Sequence, residues 1–415
     1  MGRQGTTKRS AGRIWVVPVV AVGALVAAGV VARATTSDPP PQRATAKGSG
    51  LQGVACPAAG TCVAVGSMGS VYGVSVPYAA VSSGDTWTAH PPAPPEQLGD
   101  TSLASVSCPT PASCMAVGEQ ELPTPFFGSR SSGDRPYAES WDGTDWVPRP
   151  EAVPPRAIDS SLSGVSCVSS TCMAVGEFGT RISEDLALAE RWDGSRWTLA
   201  LPRRLRFADD EVLTDVDCTS PTSCVAVGHY SYDELFNGAA PLIERWNGTT
   251  WSPERSRNPA GSADTELQAI DCATADRCVA VGYQRRPDGR YASFAEISRG
   301  SAWSVLPTVD AKGSPDTELA DVSCPGPDSC VAVGSAVLQG KVNAFAESWN
   351  GATWSVDRPP APPGSTSSAL AAVACTRPAD CRAAGVQWHG SPIGHALSEA
   401  RDGAGWTVLP VPESP

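Results

Sequence analysis

Apolar residues beyond about position 50 come in short bursts rather than at helical spacing, and the bursts recur in a fixed order. A first burst, such as Leu162-Ser-Gly-Val-Ser-Cys167, leads into a four- or five-residue turn rich in Ser, Pro and Asp. A second reads Cys-x-Ala-Val-Gly, as in Cys114-Met-Ala-Val-Gly118. After a segment of variable length comes a third that ends in Glu-x-Trp, as in Glu190-Arg-Trp192. A fourth opens on Trp, as in Trp197-Thr-Leu-Ala-Leu-Pro202. Between the third and fourth stand Asp142-Gly143, Asp193-Gly194, Asn247-Gly248, Asn350-Gly351 and Asp402-Gly403. Such dipeptides are strong two-residue hairpin signals, because the turn needs positive φ at its centre. Each burst therefore reads as a short β-strand, and no repeat offers an amphipathic helix.

The unit recurs seven times, with its first cysteine at 56, 108, 167, 218, 272, 324 and 375. Four antiparallel strands per repeat, at this period, predict an all-β, seven-bladed β-propeller over residues 51–415. One such sheet cannot cover both of its faces, whereas sheets stacked radially cover each other. The small Ala-Val-Gly segment is expected at a crowded position towards the axis, and the Trp residues in the wider space between blades further out. The first and fifth repeats lack the first Trp of the pair, and the seventh has Arg401 in its place. Modified sequence is expected where the end repeats meet.

The fourteen cysteines form seven close pairs with none left over: Cys56/Cys62, Cys108/Cys114, Cys167/Cys172, Cys218/Cys224, Cys272/Cys278, Cys324/Cys330 and Cys375/Cys381. An even, regular set of this kind predicts one local disulfide per blade, across the hairpin of strands one and two. Zinc would need further ligands, and the four His do not recur with the repeat. No metal or other cofactor is expected. Each bridge closes a short loop and should contribute about 2–3 kcal/mol by restricting the unfolded chain.

Residues 1–13 are polar and basic, and residues 14–34 are mostly apolar, ending in Ala32-Arg33-Ala34. Two readings stay open: an uncleaved transmembrane anchor, since about 20 apolar residues span a bilayer, or a cleaved signal peptide. Basic residues ahead of the segment keep that end inside, so either reading puts the rest on the extracellular side of the membrane or secretes it. Residues 35–50, with Pro39-Pro-Pro41, read as a disordered tether. The formal charge is -12, and the five basic residues among the first 34 leave the remainder more negative still. An acidic body repels polyphosphate, so nucleic acid is not an expected partner. The domain is expected to be monomeric.

The chain resembles two repeat families. Val-Gly closing strand two, with Trp opening strand four and Pro after it, is similar to a kelch repeat. The second Gly of that family is missing here, since Glu119 follows Gly118 and Glu177 follows Gly176. Ser140-Trp-Asp142-Gly143-Thr-Asp-Trp146 resembles the Asp-box of sialidase-type propellers, shortened by one residue. The whole unit looks like that of secreted bacterial repeat proteins built from a Cys-hairpin and a Trp-hairpin. These are scaffold motifs: they imply the propeller and leave its activity open.

In a four-stranded blade the one–two and three–four turns lie on one face of the disc and the two–three and four–one loops on the other. All the length variation falls on the second face, and function concentrates on variable loops held by a rigid scaffold. The candidate ligand-binding residues are Phe126 and Phe127 in blade two, Tyr230, Tyr232 and Phe236 in blade four, Tyr283, Arg285, Arg286 and Tyr291 in blade five, and Trp388 and His389 in blade seven. Aromatic rings with Arg and His suit stacking on sugars or gripping a peptide. The recurring Glu139, Glu190, Glu244, Glu296, Glu347 and Glu399 are expected to serve structure, because catalysis rarely needs one acid in six blades. The expected function is a binding module for glycan, cell-wall material or an extracellular protein. The alternatives are a sialidase- or lyase-like enzyme and a purely structural surface protein. The constellation a sialidase needs, three Arg with a Tyr–Glu pair and an Asp, cannot be placed in the sequence, and no catalytic residue is assigned.

Overall fold

The computed structural model describes residues 48–69, 74–93, 99–122, 133–180, 185–206, 208–232, 238–256, 258–259, 261–262 and 264–412. Residues 1–47, with the apolar segment and most of the tether, lie outside the described residues, as do Phe126, Phe127 and Phe236. The strands form seven four-stranded antiparallel sheets, each built from consecutive strands. Blade three, for example, runs Asp159–Val168, Thr171–Gly179, Asp185–Trp192 and Trp197–Leu199. The blades span 50–89, 101–148, 159–199, 210–253, 264–306, 317–357 and 367–409.

Strand one of each blade neighbours strand one of the next, and that of blade seven neighbours that of blade one, so the first strands form a closed inner ring. Strand two is one step further out. The glycine of Ala-Val-Gly is therefore there for a reason other than crowding at the axis. Strand one carries a register shift in every blade, as between Leu103 and Ser105. The shift brings its backbone against the glycine: a Cβ on Gly118 would lie 2.0 Å from the Ser102 carbonyl oxygen, and the other six glycines meet the same obstacle at 2.0–2.1 Å. Such an approach leaves room for hydrogen alone.

Seven hydrophobic clusters fill the seven spaces between adjacent blades. The Trp pairs sit in these spaces, as expected, with ring centroids 5.4 Å apart for Trp141 and Trp146 and 5.6 Å for Trp192 and Trp197. Where the first Trp is absent a different bond takes over. Ser82 in blade one and Ser298 in blade five accept the backbone N–H of Cys62 and Cys278, each at 2.8 Å. In blade seven Arg401 reaches back to blade six and pairs with Asp357 at 2.8 Å.

All seven disulfides form within their own hairpins, at Cα–Cα separations of 3.9–4.1 Å. Their second cysteines face inward, and Cys330 and Cys381, bonded to Cys324 and Cys375, belong to the clusters between blades. The Asp-Gly and Asn-Gly turns have Gly143, Gly194, Gly248 and Gly351 at positive φ. In blade seven it is Gly405, and not the expected Gly403, that takes positive φ. The Asp or Asn ahead of the glycine caps the turn. Asp142 Oδ1, for instance, accepts the N–H groups of Thr144 and Asp145, both at 2.9 Å. Outer strands are brief and end at or near proline, as at Pro148 and Pro253, which limits pairing with a further chain.

The ring closes without exchanging a strand. Ser49 donates its N–H to the Gly394 carbonyl at 2.8 Å, Trp87 Nε1 donates to Ser398 Oγ at 3.1 Å, and Arg382 pairs with Asp85 at 2.7 Å. The Tyr78 hydroxyl donates to the carbonyl of Pro412.

Candidate functional site on the variable face

Strand one starts on the variable face, so residues just ahead of it surround the axial mouth. There a latch joins neighbouring blades. Asp100, Asp210, Asp264 and Asp316 accept the backbone N–H of Ser75, Asp185, Ala239 and Tyr291 at 2.8, 3.1, 2.9 and 2.9 Å. Each acceptor opens one blade and each donor lies in strand three of the blade before. Ser368 plays the part for Ala344, and Ser49 carries the latch across the closure to Ala396, both at 3.2 Å. Its signal in the sequence is Asp-Thr-x-Leu (Asp100–Leu103, Asp264–Leu267, Asp316–Leu319), which the alternation of apolar bursts and turns does not single out.

Blades four and five converge on one carboxylate inside this ring. The Tyr283 hydroxyl donates to Glu266 Oε2, Gln268 Nε2 lies 3.5 Å from the same oxygen, and His229 Nδ1 lies 3.8 Å from it. Glu266 stands directly opposite Tyr283 in the one–two ladder, which is why they meet. Tyr291, opposite Arg285 on strand three, packs edge-on against Tyr283 with centroids 5.4 Å apart. Tyr283 is only 5 % exposed. Burial, then the charge of Glu266, pushes its phenol far above the ordinary value, and the hydroxyl keeps its proton in the bond to Glu266.

Both candidate arginines of blade five are already matched. Arg285 pairs with Asp264, and Arg286 with Asp310, which also accepts the Ser293 N–H at 2.9 Å. Tyr230 packs, half-buried, against the cluster between blades three and four. Tyr232 ends strand two of blade four, its backbone paired with Gly238; its side chain is outside the described set. His389 is exposed, 3.0 Å from the Gly364 carbonyl and edge-on to His395 at 5.2 Å. Blade seven, with Trp388 and His389, is two blades removed from blade five. The structure thus gathers Tyr283, Arg285 and Tyr291, and adds His229, Glu266 and Gln268. The cysteines contribute nothing that a ligand could reach on this face. Cys330 and Cys381 are each 1 % exposed, so they are core bridges and not binding residues. Among the described residues no group of three or more His, Cys, Asp or Glu side chains is arranged to hold a metal ion.

The repeated glutamates lie outside this mouth. All six are buried. Glu190 and Glu347 accept the N–H of Ala152 and Val309 at 2.9 and 3.1 Å, and Glu296 accepts the Ser256 hydroxyl at 2.6 Å. Each donor belongs to the loop arriving from the preceding blade, so these acids hold loops in place. In blade two the bond comes from within the blade: the Tyr137 hydroxyl donates to Glu139 at 2.5 Å.

No protein family and no curated protein matches the chain. Among solved structures it is similar to YCF48 bound to D1 peptide, at 14 % identity and a TM-score of 0.48, over 86 % of this chain and 94 % of that one. It is also similar to a puromycin hydrolase S511A mutant complexed with PGG, at 12 % identity and a TM-score of 0.52. That match covers 88 % of this chain and 54 % of the hydrolase, so the chain spans about half of that protein. At 12 % identity the match to the hydrolase supports the fold alone.

Proposed function

We propose that this protein is an extracellular binding propeller whose ligand sits at the axial mouth of the variable face. Its ligand is glycan, cell-wall material or a protein partner. The observation that carries the reading is the convergence of Tyr283, Gln268 and His229 on Glu266, with Tyr291 against Tyr283. Aromatic surface and directional polar groups thus meet on a rigid rim. Seven disulfides support folding in an oxidising, extracellular setting. The enzyme reading is weakened by the ion pairs that occupy Arg285 and Arg286 and by the burial of Tyr283.

A binding screen of the oxidised protein against glycans, cell-wall fragments and peptides tests the proposal. A hit should be lost in Tyr291→Ala and Glu266→Gln while the thermal transition is kept. Hits insensitive to both changes would move the site elsewhere, and a blank across all three ligand classes would favour the structural-spacer alternative.

A further inference from the structure

The mouth carries more carboxylates than its own cations answer. Glu266 and Glu318 occupy the same place, just ahead of the strand-one leucine, in blades five and six. Glu119 and Glu177 occupy the matching level of strand two in blades two and three, opposite Ser102 and Ser161. Burial, reinforced by Asp185, Asp159 and Glu119, pushes Glu177 up to about 7. Burial, with Asp316 and Glu266, does the same to Glu318. Glu119, although its side chain is exposed, is raised by the protein packed around it and then by Asp134, Glu121 and Asp100. Among the described residues none of these three has an Arg or Lys in salt-bridge reach, and the rim arginines are spent on Asp264 and Asp310.

A second observation points the same way. Gln268 is only 4 % exposed and turns its amide nitrogen to Glu266, yet its carbonyl oxygen has no hydrogen-bond partner. A buried amide oxygen left bare costs about 1–3 kcal/mol, and this one belongs to the side chain whose nitrogen already faces Glu266, a carboxylate with no Arg or Lys partner among the described residues. The missing component is a positive group with several N–H donors. Such a group, drawn in against Glu266, would give the Gln268 oxygen a donor and relieve the repulsion between Glu266 and Glu318. Tyr291 and Tyr283 would offer it an aromatic wall. The unmatched acids are spread over blades two, three, five and six, so one small amine would answer only some of them. A chain bearing several cations would answer more.

Building on the binding reading above, we propose that the mouth takes lysine or arginine side chains from an extended basic segment of a protein partner, with Glu266, Gln268 and Glu318 as the principal seat.

The test uses the full, oxidised chain and a fluorescent peptide of alternating Lys and Gly, beside a control peptide of alternating Gln and Gly. Because the whole body is acidic, a charge-matched variant on the opposite face is essential. The double variant Glu266→Gln/Glu318→Gln is compared with Asp142→Asn/Asp193→Asn, whose turns already accept Asn at 247 and 350. The proposal expects affinity for the Lys peptide to fall about tenfold or more in the mouth variant and by less than about twofold in the control. Equal losses in both variants would mean diffuse attraction and overturn it, as would equal binding of the Gln peptide or no binding of the Lys peptide. A glycan or wall fragment that binds through Tyr291 while the Lys peptide does not would overturn this inference and leave the binding-module reading standing. Matching thermal transitions for all variants exclude misfolding as the cause.

Discussion

The carboxylate of Asp217, in strand one of blade four, accepts the backbone N–H of Cys272 in strand one of blade five at 3.1 Å. The same step recurs around the hub from the residue ahead of the first cysteine in four further blades. Ser107, Ser166, Asp271 and Ser323 accept from Cys167, Cys218, Cys324 and Cys375 at 3.0, 3.0, 2.8 and 3.0 Å. A strand edge that faces another blade instead of another strand thus still has its N–H satisfied. Replacing Asp217 by Ala should leave the Cys272 N–H unsatisfied and cost about 1–3 kcal/mol. Asp217→Ser should keep most of the stability, since Ser fills the same role in three other blades. Chemical denaturation under oxidising conditions checks both, and an Asp217→Ala midpoint equal to that of the wild type would remove the hub bond from the stabilising set.

The repeat glycines carry a sharper expectation. A methyl group at Gly118 would press into the Ser102 carbonyl at 2.0 Å, and neither strand can retreat without breaking the ladder. Gly118→Ala is expected to cost more than about 3 kcal/mol, at the severe end for a single substitution. Ala at Gly84, where the added atom meets nothing within 4 Å, would feel only its positive φ of 61° and should cost far less. Melting curves of the two variants, run side by side, separate steric from conformational cost.

These two cases show what the sequence made legible and what it did not. Strand count, hairpin turns and disulfide pairing depend on neighbours within some fifty residues, and periodicity exposes them. The bulge that forces glycine into Ala-Val-Gly appears only when two strands are placed in register, so its cause was misread as crowding at the axis. The mouth is harder still. Tyr283 and Arg285 stood out as aromatic and basic, but their partners Glu266 and Asp264 are ordinary acids at the head of a strand, and only the one–two register brings them together. Trp388 and His389 were legible as residues, but the contacts that gather Tyr283, Arg285 and Tyr291 do not reach blade seven, where His389 meets Gly364 and His395 instead.

Burial raises many carboxyls at once, and this makes stability depend on pH in a direction opposite to the common case. Glu190 and Glu347 are held up to about 7, and Glu151, Glu244 and Glu399 up to about 8, against an ordinary value of 4.5, with desolvation the leading cause each time. The folded state then keeps protons that the unfolded state releases above pH 4.5. The stability these groups contribute is complete below that pH and is lost as pH rises through about 7 to 8. The midpoint of urea unfolding should therefore be higher at pH 5 than at pH 8.5. A midpoint that climbs over this range would show that these acids are ionised in the fold.

Glu399 isolates the effect in one side chain. The loop that reaches it has Pro360 where blades three and six use the N–H of Ala152 and Val309, so both of its carboxyl oxygens are buried without a partner. Its proton is what makes it tolerable. Glu399→Gln should match the wild type at pH 5 and exceed it in stability above pH 8, where the wild-type carboxyl must ionise or expose itself. Glu190→Ala should instead lose about 1–3 kcal/mol at pH 5, because it strands the Ala152 N–H. Paired denaturation curves at the two pH values distinguish a loop anchor from an orphaned acid.

The hub bond described for Asp217 is missing at two of its seven places, and both border blade one. Ala374 stands where an acceptor for Cys56 would be, and Ala55 where one for Cys108 would be. The closure exchanges no strand, as at every other junction, and beside the Ser49–Gly394 backbone bond it rests on side-chain contacts such as Trp87 with Ser398 and Arg382 with Asp85. This makes the contact between blades seven and one the place where the ring should open first. Introducing the acceptor used elsewhere, as Ala374→Ser, should add about 0.5–1.5 kcal/mol if the hydroxyl finds the Cys56 N–H. Hydrogen exchange gives the more direct reading. Amides of strand one in blade one and strand one in blade seven should exchange faster than their counterparts in blades four and five, and Ala374→Ser should slow them selectively. Uniform protection around the wild-type ring would mean that the side-chain closure is as strong as the stitched hub, and the serine would then change nothing local.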